Sequence, residues 1–314
     1  MSGATAMPRT RHGTCERREP RSAHLLQSMT YWPVSPSLKG LVDDIYVMRT
    51  AGPSFRGLTG ALLPQVEWVL SGQLSWQTRS GGVQVLPPAG VLGPSLAAYR
   101  LETLGDTVVV GCGLYPEGWA TLMPVAAGSV SERVLTLSSL WDPSCLELLT
   151  LDPTAPDERL AADIDRYLLA RLAVATPADP RIGEISRWAD QDEHHILELA
   201  AQVGVSQRHL QRLTRSAHGL PPRQLANKHK ILRMAVVLAL GEYDNRRDTW
   251  TSEYFDQSHF ISHFKRYIGT TPSEFVGTPD LLVREVMRAR FLINSDHPLG
   301  LSVQSGRAVR GTPS

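Results

Sequence analysis

The feature that most constrains this chain is a repeat in its last third. Ser206, Leu210, Gly219, Pro222 and Leu225 have counterparts 50 residues later in Asp256, Phe260, Gly269, Pro272 and Phe275. A fixed offset of this kind marks a duplicated supersecondary unit. Each copy opens on a residue whose side-chain oxygen can accept from the unsatisfied amides of a first helical turn. Each closes on a glycine, the residue suited to the left-handed conformation that stops a helix. The interval predicts one helix of about 12 residues per copy.

In the first copy Leu210, Leu213 and Ala217 fall on one helical face, so Gln207, Arg208, Gln211, Arg212 and Arg215 project from the other. Arginine and glutamine are the side chains that read guanine and adenine by paired hydrogen bonds in the major groove. Just upstream, Ile196 to Val203 reads as a short apolar helix ended by Gly204. Helix, glycine turn and capped second helix together spell a helix-turn-helix. Charge agrees. From Leu199 to Gly241 there are Arg208, Arg212, Arg215, Arg223, Lys228, Lys230 and Arg233 and no Asp or Glu, an electrostatic footprint for phosphate that the whole-chain net charge of +1 conceals. The bland alternative is a solvated basic face.

The run Leu199-Ala200, Gly204-Val205-Ser206, Leu210-Gln211-Arg212 and Gly219-Leu220-Pro221-Pro222 resembles the DNA-binding region of AraC/XylS regulators. So does Tyr254-Phe255-Asp256-Gln257-Ser258-His259-Phe260, continuing through Phe264-Lys265-Arg266, Gly269, Pro272 and Phe275. The likeness covers about 90 residues. It implies two helix-turn-helix subdomains joined by a long helix near Pro222 to Leu240. The DNA-contacting residues it implies are Gln207, Arg208, Gln211, Arg212 and Arg215, with Arg223 and Lys228 on phosphate. In the second unit they are Gln257, Ser258, Ser262 and Lys265. One departure stands out: Asn245 to Glu253 is short and polar where the family has an apolar helix, with Glu253 at the usual glycine. The expectation is a weaker second head, in which Phe260 and Phe264 have few buried partners.

Upstream the pattern changes. From Tyr31 to about Leu151, short apolar runs such as Val66-Glu67-Trp68-Val69-Leu70 and Thr107-Val108-Val109-Val110 alternate with Gly and Pro, which predicts a β-sandwich or barrel. Stretches around Leu62 to Gly72, Val91 to Pro94 and Gly113 to Ala120 are similar to an uncharacterised sensor domain found ahead of such regulators. Trp68, Trp76 and Trp119, with Tyr99 and Tyr115, are candidates for an effector pocket, or else core. The fold class is thus α+β, a β-rich N-terminal domain followed by an all-α domain of two helix-turn-helix units. The divisions are a disordered arm at 1–29, with Met29 as an alternative start, a β-rich sensor at 30–152, a linker helix at 153–180, the DNA-binding domain at 181–280 and a mostly disordered tail at 281–314.

Other chemistries find little support. Cys15, Cys112 and Cys145 are far apart, with no CxxC pair, and neither Cys112 nor Cys145 has the basic neighbour that activates a nucleophile. His194 and His195 are adjacent, and His259 and His263 lack a third ligand, so no metal or other cofactor is expected. No apolar run spans a bilayer, and a cytoplasmic, non-enzymatic regulator is expected. Its partners would be double-stranded DNA, RNA polymerase and a small-molecule effector in the N-terminal domain, with no membrane. The rival reading is a protein-interaction adaptor, or a regulator of the same fold that does not bind DNA.

Overall fold

The computed structural model describes residues 25–78, 82–191, 194–240, 257–278, 282–293 and 309–310. The Asp256 cap, the Asn245 to Glu253 segment and Cys15 lie outside the described residues.

The N-terminal strands are β1 (Leu25–Trp32), β2 (Val42–Ala51), β3 (Ser54–Thr59), β4 (Gln65–Gln77), β5 (Val83–Val85), β6 (Ala89–Leu92), β7 (Tyr99–Leu114) and β8 (Val134–Thr136). With β9 (Val309–Arg310) they form one nine-stranded sheet in the order β8-β6-β4-β7-β2-β1-β9, with β3 added on β7 and β5 on β4. Every pairing is antiparallel. The runs that suggested a sandwich or barrel therefore belong to a single hydrogen-bonded sheet. Long strands β4 and β7 carry it, and their register shifts at Val69 to Gln73, where Gly72 (φ +70°) lies so close to Thr107 that no side chain would fit.

Side chains alternate across a strand, and here both faces are covered. Ile45, Val47, Val66, Trp68, Val110 and Cys112 share one buried core. Against it pack α1 (Pro116–Leu122) and α2 (Asp157–Ala173), the latter through Leu160, Ala161, Ile164 and Leu168. Arg49 clamps the start of α2, with Nη2 2.8 Å from Asp157. The segment 153–180, expected as a linker helix, is thus in its α2 portion a cover for the sheet. Its apolar stripe finds a sheet face, which sequence periodicity cannot reveal.

The opposite face, with Tyr46, Met48, Leu74, Trp76, Tyr99 and Leu101, packs on helices from the second half of the chain. These are α6 (Pro222–Leu240), α7 (Gln257–Ile268), α8 (Pro272–Gly277) and α9 (Leu282–Ile293). A third core joins α3 (Arg181–Ala189), α4 (Ile196–Gln202) and α5 (Gln207–His218) to the start of α6 through Ile185, Trp188, Leu199, Leu210 and Leu225.

Two boundaries move. Strand β1 starts at Leu25, inside the segment expected to be a disordered arm, because pairing with β2 from Leu25 to Trp32 satisfies its backbone. In the tail expected to be mostly disordered, α9 is a helix whose Val283 and Met287 are buried, and Val309 and Arg310 pair with Met29 and Ser28.

Candidate nucleic-acid interface

Helix α5 has the length and limits that its sequence dictates. The Ser206 hydroxyl accepts from the His209 amide at 3.3 Å, which satisfies one of the amides a helix start leaves without an intrahelical partner. At the other end Gly219 adopts φ +76°, and its amide donates to the Arg215 carbonyl. A side chain there would also run into Pro94 and Ser131. Leu210, Thr214, Ala217 and His218 are buried, and the Thr214 hydroxyl donates back to the Leu210 carbonyl at 2.8 Å.

The other face is open. Gln207, Arg208, Gln211, Arg212 and Arg215 are all exposed, and none of these arginines is paired with an acid among the described residues. Arg208, Gln211, Arg212 and Arg215 line one shallow surface concavity with Ser206 and His209. Arg223, in the first turn of α6, is likewise exposed. Unpaired guanidiniums and a carboxamide on a rigid helix are suited to phosphate and base edges.

The second copy repeats the arrangement. Gly269 (φ +92°) follows α7, and Thr271 starts α8 with a capping box: its hydroxyl accepts from the Glu274 amide while Glu274 accepts from the Thr271 amide. These hydrogen bonds, led by the Thr271 amide, hold the Glu274 carboxyl down at about 2. Gln257, Ser258, Ser262 and Lys265 are exposed on α7. The expected shortage of partners for Phe260 and Phe264 is not found. Both are fully buried in one cluster with Ile231 and Ala235 of α6, and Phe264 meets Phe275 edge-on at 5.6 Å. The sheet contributes to their support: backbone hydrogen bonds tie Ala61 to Tyr267 and Ala98 to Arg266, each at 2.7 Å.

Residues 199–277 match a family model described as a helix-turn-helix domain. The chain carries an AraC-type helix-turn-helix domain. No curated protein matches the chain. Among solved structures, ToxT from Vibrio cholerae is similar at 13% identity and a TM-score of 0.43, covering 80% of this chain and 98% of that one. ToxT of strain SCE256 with a bound unsaturated fatty acid gives 14% and 0.40, covering 75% and 94%. The AraC-like transcriptional activator CuxR gives 12% and 0.27, covering 66% and 85%. Among the described residues no helix is long and apolar enough to cross a membrane.

Within the AraC-type domain one predicted contact is misplaced. Lys228 is only 8% exposed, and its ammonium donates to the carbonyls of Leu62 at 3.2 Å and Ser95 at 3.1 Å. It fastens the domain to the loops flanking the sheet, and its ammonium faces inward rather than toward the open face of α5. Beside it burial holds His229 neutral, well below the ordinary histidine range. Arg233 is also engaged, donating to the Asp190 and Gln191 carbonyls and 3.0 Å from the Asp190 carboxylate. The basic stretch thus divides into an outward arginine face and inward ties.

The aromatic residues divide as well. Trp68 donates to the Cys145 carbonyl and Trp119 to that of Val125, both in the first core. Burial pushes the Cys112 thiol up, an inert state. Trp76 and Tyr99, 4.8 Å apart and edge-on, instead line a cavity between the sheet and α9. Tyr31, Tyr46, Asp43, Asp44 and Glu67 line it too. Glu67 was hidden in the apolar run from Val66 to Leu70; a carboxylate at the alternate position of a buried strand was the available signal. Desolvation raises its carboxyl to about 7, and desolvation with Asp43 nearby raises Asp44 to about 7.

Proposed function

We propose that this protein is a sequence-specific DNA-binding transcription regulator that reads duplex DNA with α5, uses α7 as a second reader, and carries its effector site in the N-terminal sheet domain. The observation that carries the reading is the face of α5: a capped, glycine-terminated helix whose buried side is fixed in the core and whose open side offers Arg208, Gln211, Arg212 and Arg215 without acidic partners among the described residues. On this reading Arg208 and Gln211, near the helix N-terminus, read bases, and Arg223 meets phosphate. RNA polymerase is the expected further partner of such a regulator.

The test is selection of a binding site from random duplexes by the full chain, followed by titration of the selected and a scrambled duplex in rising salt. Affinity should fall steeply with salt, with a slope of about 0.9 per phosphate neutralised, and the selected duplex should be preferred throughout. Equal binding of the two duplexes at every salt concentration overturns the reading in favour of an adaptor.

A further inference from the structure

The cavity between the sheet and α9 has a chemistry that α5 does not explain. Its floor is the second face of the sheet, and its roof is Leu282 and Val286 of α9. Glu67 is 1% exposed; its Oε1 accepts from the Tyr46 hydroxyl at 2.5 Å, while Oε2 is buried with no hydrogen-bond partner among the described residues. The Trp76 indole N–H stands close enough to favour the ionised Glu67 but outside hydrogen-bond geometry. Asp43 and Asp44 add two more carboxyls, and among the described residues no Lys, Arg or His lines the space.

A buried carboxylate oxygen without a partner is costly unless something completes it. Around it stand two aromatic pairs, Trp76 with Tyr99 at 4.8 Å and Tyr31 with Tyr46 at 6.4 Å. Aromatic faces beside a carboxylate attract a cation with an apolar skin, the arrangement used for quaternary ammonium groups. A carboxylate or phosphate ligand would meet three acids. About 50 Å3 of the cavity is open to the centre of a water molecule, room for roughly three to five water-sized groups, which suits a compact head rather than a long chain.

We infer that this cavity binds a small methylated-ammonium compound, with Glu67 as counter-ion and the Trp76, Tyr99, Tyr31 and Tyr46 rings as its walls. The inference rests on the effector reading given above and names the ligand class for it. The ligand would touch the sheet and α9 together. Helix α9 follows the second reader and lies so close to β3 that a side chain at Gly57 would strike Leu282.

The experiment is calorimetric titration of the full chain with tetramethylammonium, with choline, and with the neutral isostere in which carbon replaces the choline nitrogen. Choline should bind saturably and the isostere at least about tenfold more weakly. Glu67→Gln should lose choline binding by about tenfold or more while keeping its affinity for the selected duplex and an unfolding midpoint no lower than the parent's. Affinity should also rise about tenfold from pH 6 to pH 8, as Glu67 becomes ionised; the other titratable groups facing it are Tyr31, Asp43, Asp44, Tyr46, Tyr99 and Cys112, with Lys39 acting on Asp44. Equal binding of cation and isostere, unchanged binding by Glu67→Gln, or no binding of either cation up to about 10 mM each overturns the ligand class. Because duplex affinity is measured on the same samples, failure here is separate from failure of the DNA-binding reading.

Discussion

Lys228 separates two accounts of the basic stretch. If its ammonium serves the sheet contact, Lys228→Met keeps the aliphatic stem but leaves the Leu62 and Ser95 carbonyls buried without that donor. Each hydrogen bond from a charged donor contributes about 1.5–3 kcal/mol. Relief of the ammonium's own desolvation offsets part of that loss. A net destabilisation of about 2–4 kcal/mol follows, visible as a lower urea midpoint for the full chain. Duplex binding gives the complementary reading. A residue on phosphate contributes about 0.9 to the salt slope, so the slope should be the same for Lys228→Met and the parent, whereas Arg223→Ala should lower it. A Lys228→Met protein of undiminished stability whose salt slope falls by about one would refute the reasoning and return Lys228 to the DNA.

Two further outcomes follow from other residues. Arg208→Ala should relax preference at a single base pair by about 1–3 kcal/mol in competition binding, and an unchanged preference profile would remove Arg208 from the reading face. Glu67 makes stability depend on pH: its folded value of about 7 lies above the ordinary carboxyl range, so the folded state holds the proton more tightly and stability declines as pH rises from about 4.5 to 7. The decline from this group should approach roughly 3 kcal/mol above pH 7, and Glu67→Gln should remove that share in thermal unfolding, leaving the decline due to Asp44. For this variant an unfolding midpoint equal to the parent at low pH and higher above pH 7 is the expected pattern.

What was legible in the sequence was local. The cap at Ser206 and the stop at Gly219 act on neighbouring backbone groups, and α5 spans Gln207–His218 as those signals require. Partners distant along the chain were not legible. Charge counting placed Lys228 with the exposed arginines because the carbonyls it meets are 166 and 133 residues away in sequence. Leu25 to Met29 looked like part of an arm because only pairing with β2 makes it a strand. Phe260 and Phe264 seemed poorly supported when the Asn245 to Glu253 segment was the only support considered, yet α6 and the sheet enclose them. Glu67 was concealed by the company it keeps in the strand.

The sharing of one core by Tyr99 and Leu101 of the sheet with Ile231, Phe260 and Phe264 of the helices bears on how such a protein can be rebuilt. The DNA reader is not a detachable cassette. Excised, residues 181–278 would turn a face of buried apolar side chains to water and invite aggregation; grafted onto an unrelated sensor, they would need a matching surface with carbonyls set for Lys228. If α5 reads DNA as proposed, new specificity is most easily acquired by substitution on its outward side, where Arg208, Gln211, Arg212 and Arg215 can change without disturbing the interior, and less easily by exchange of whole domains.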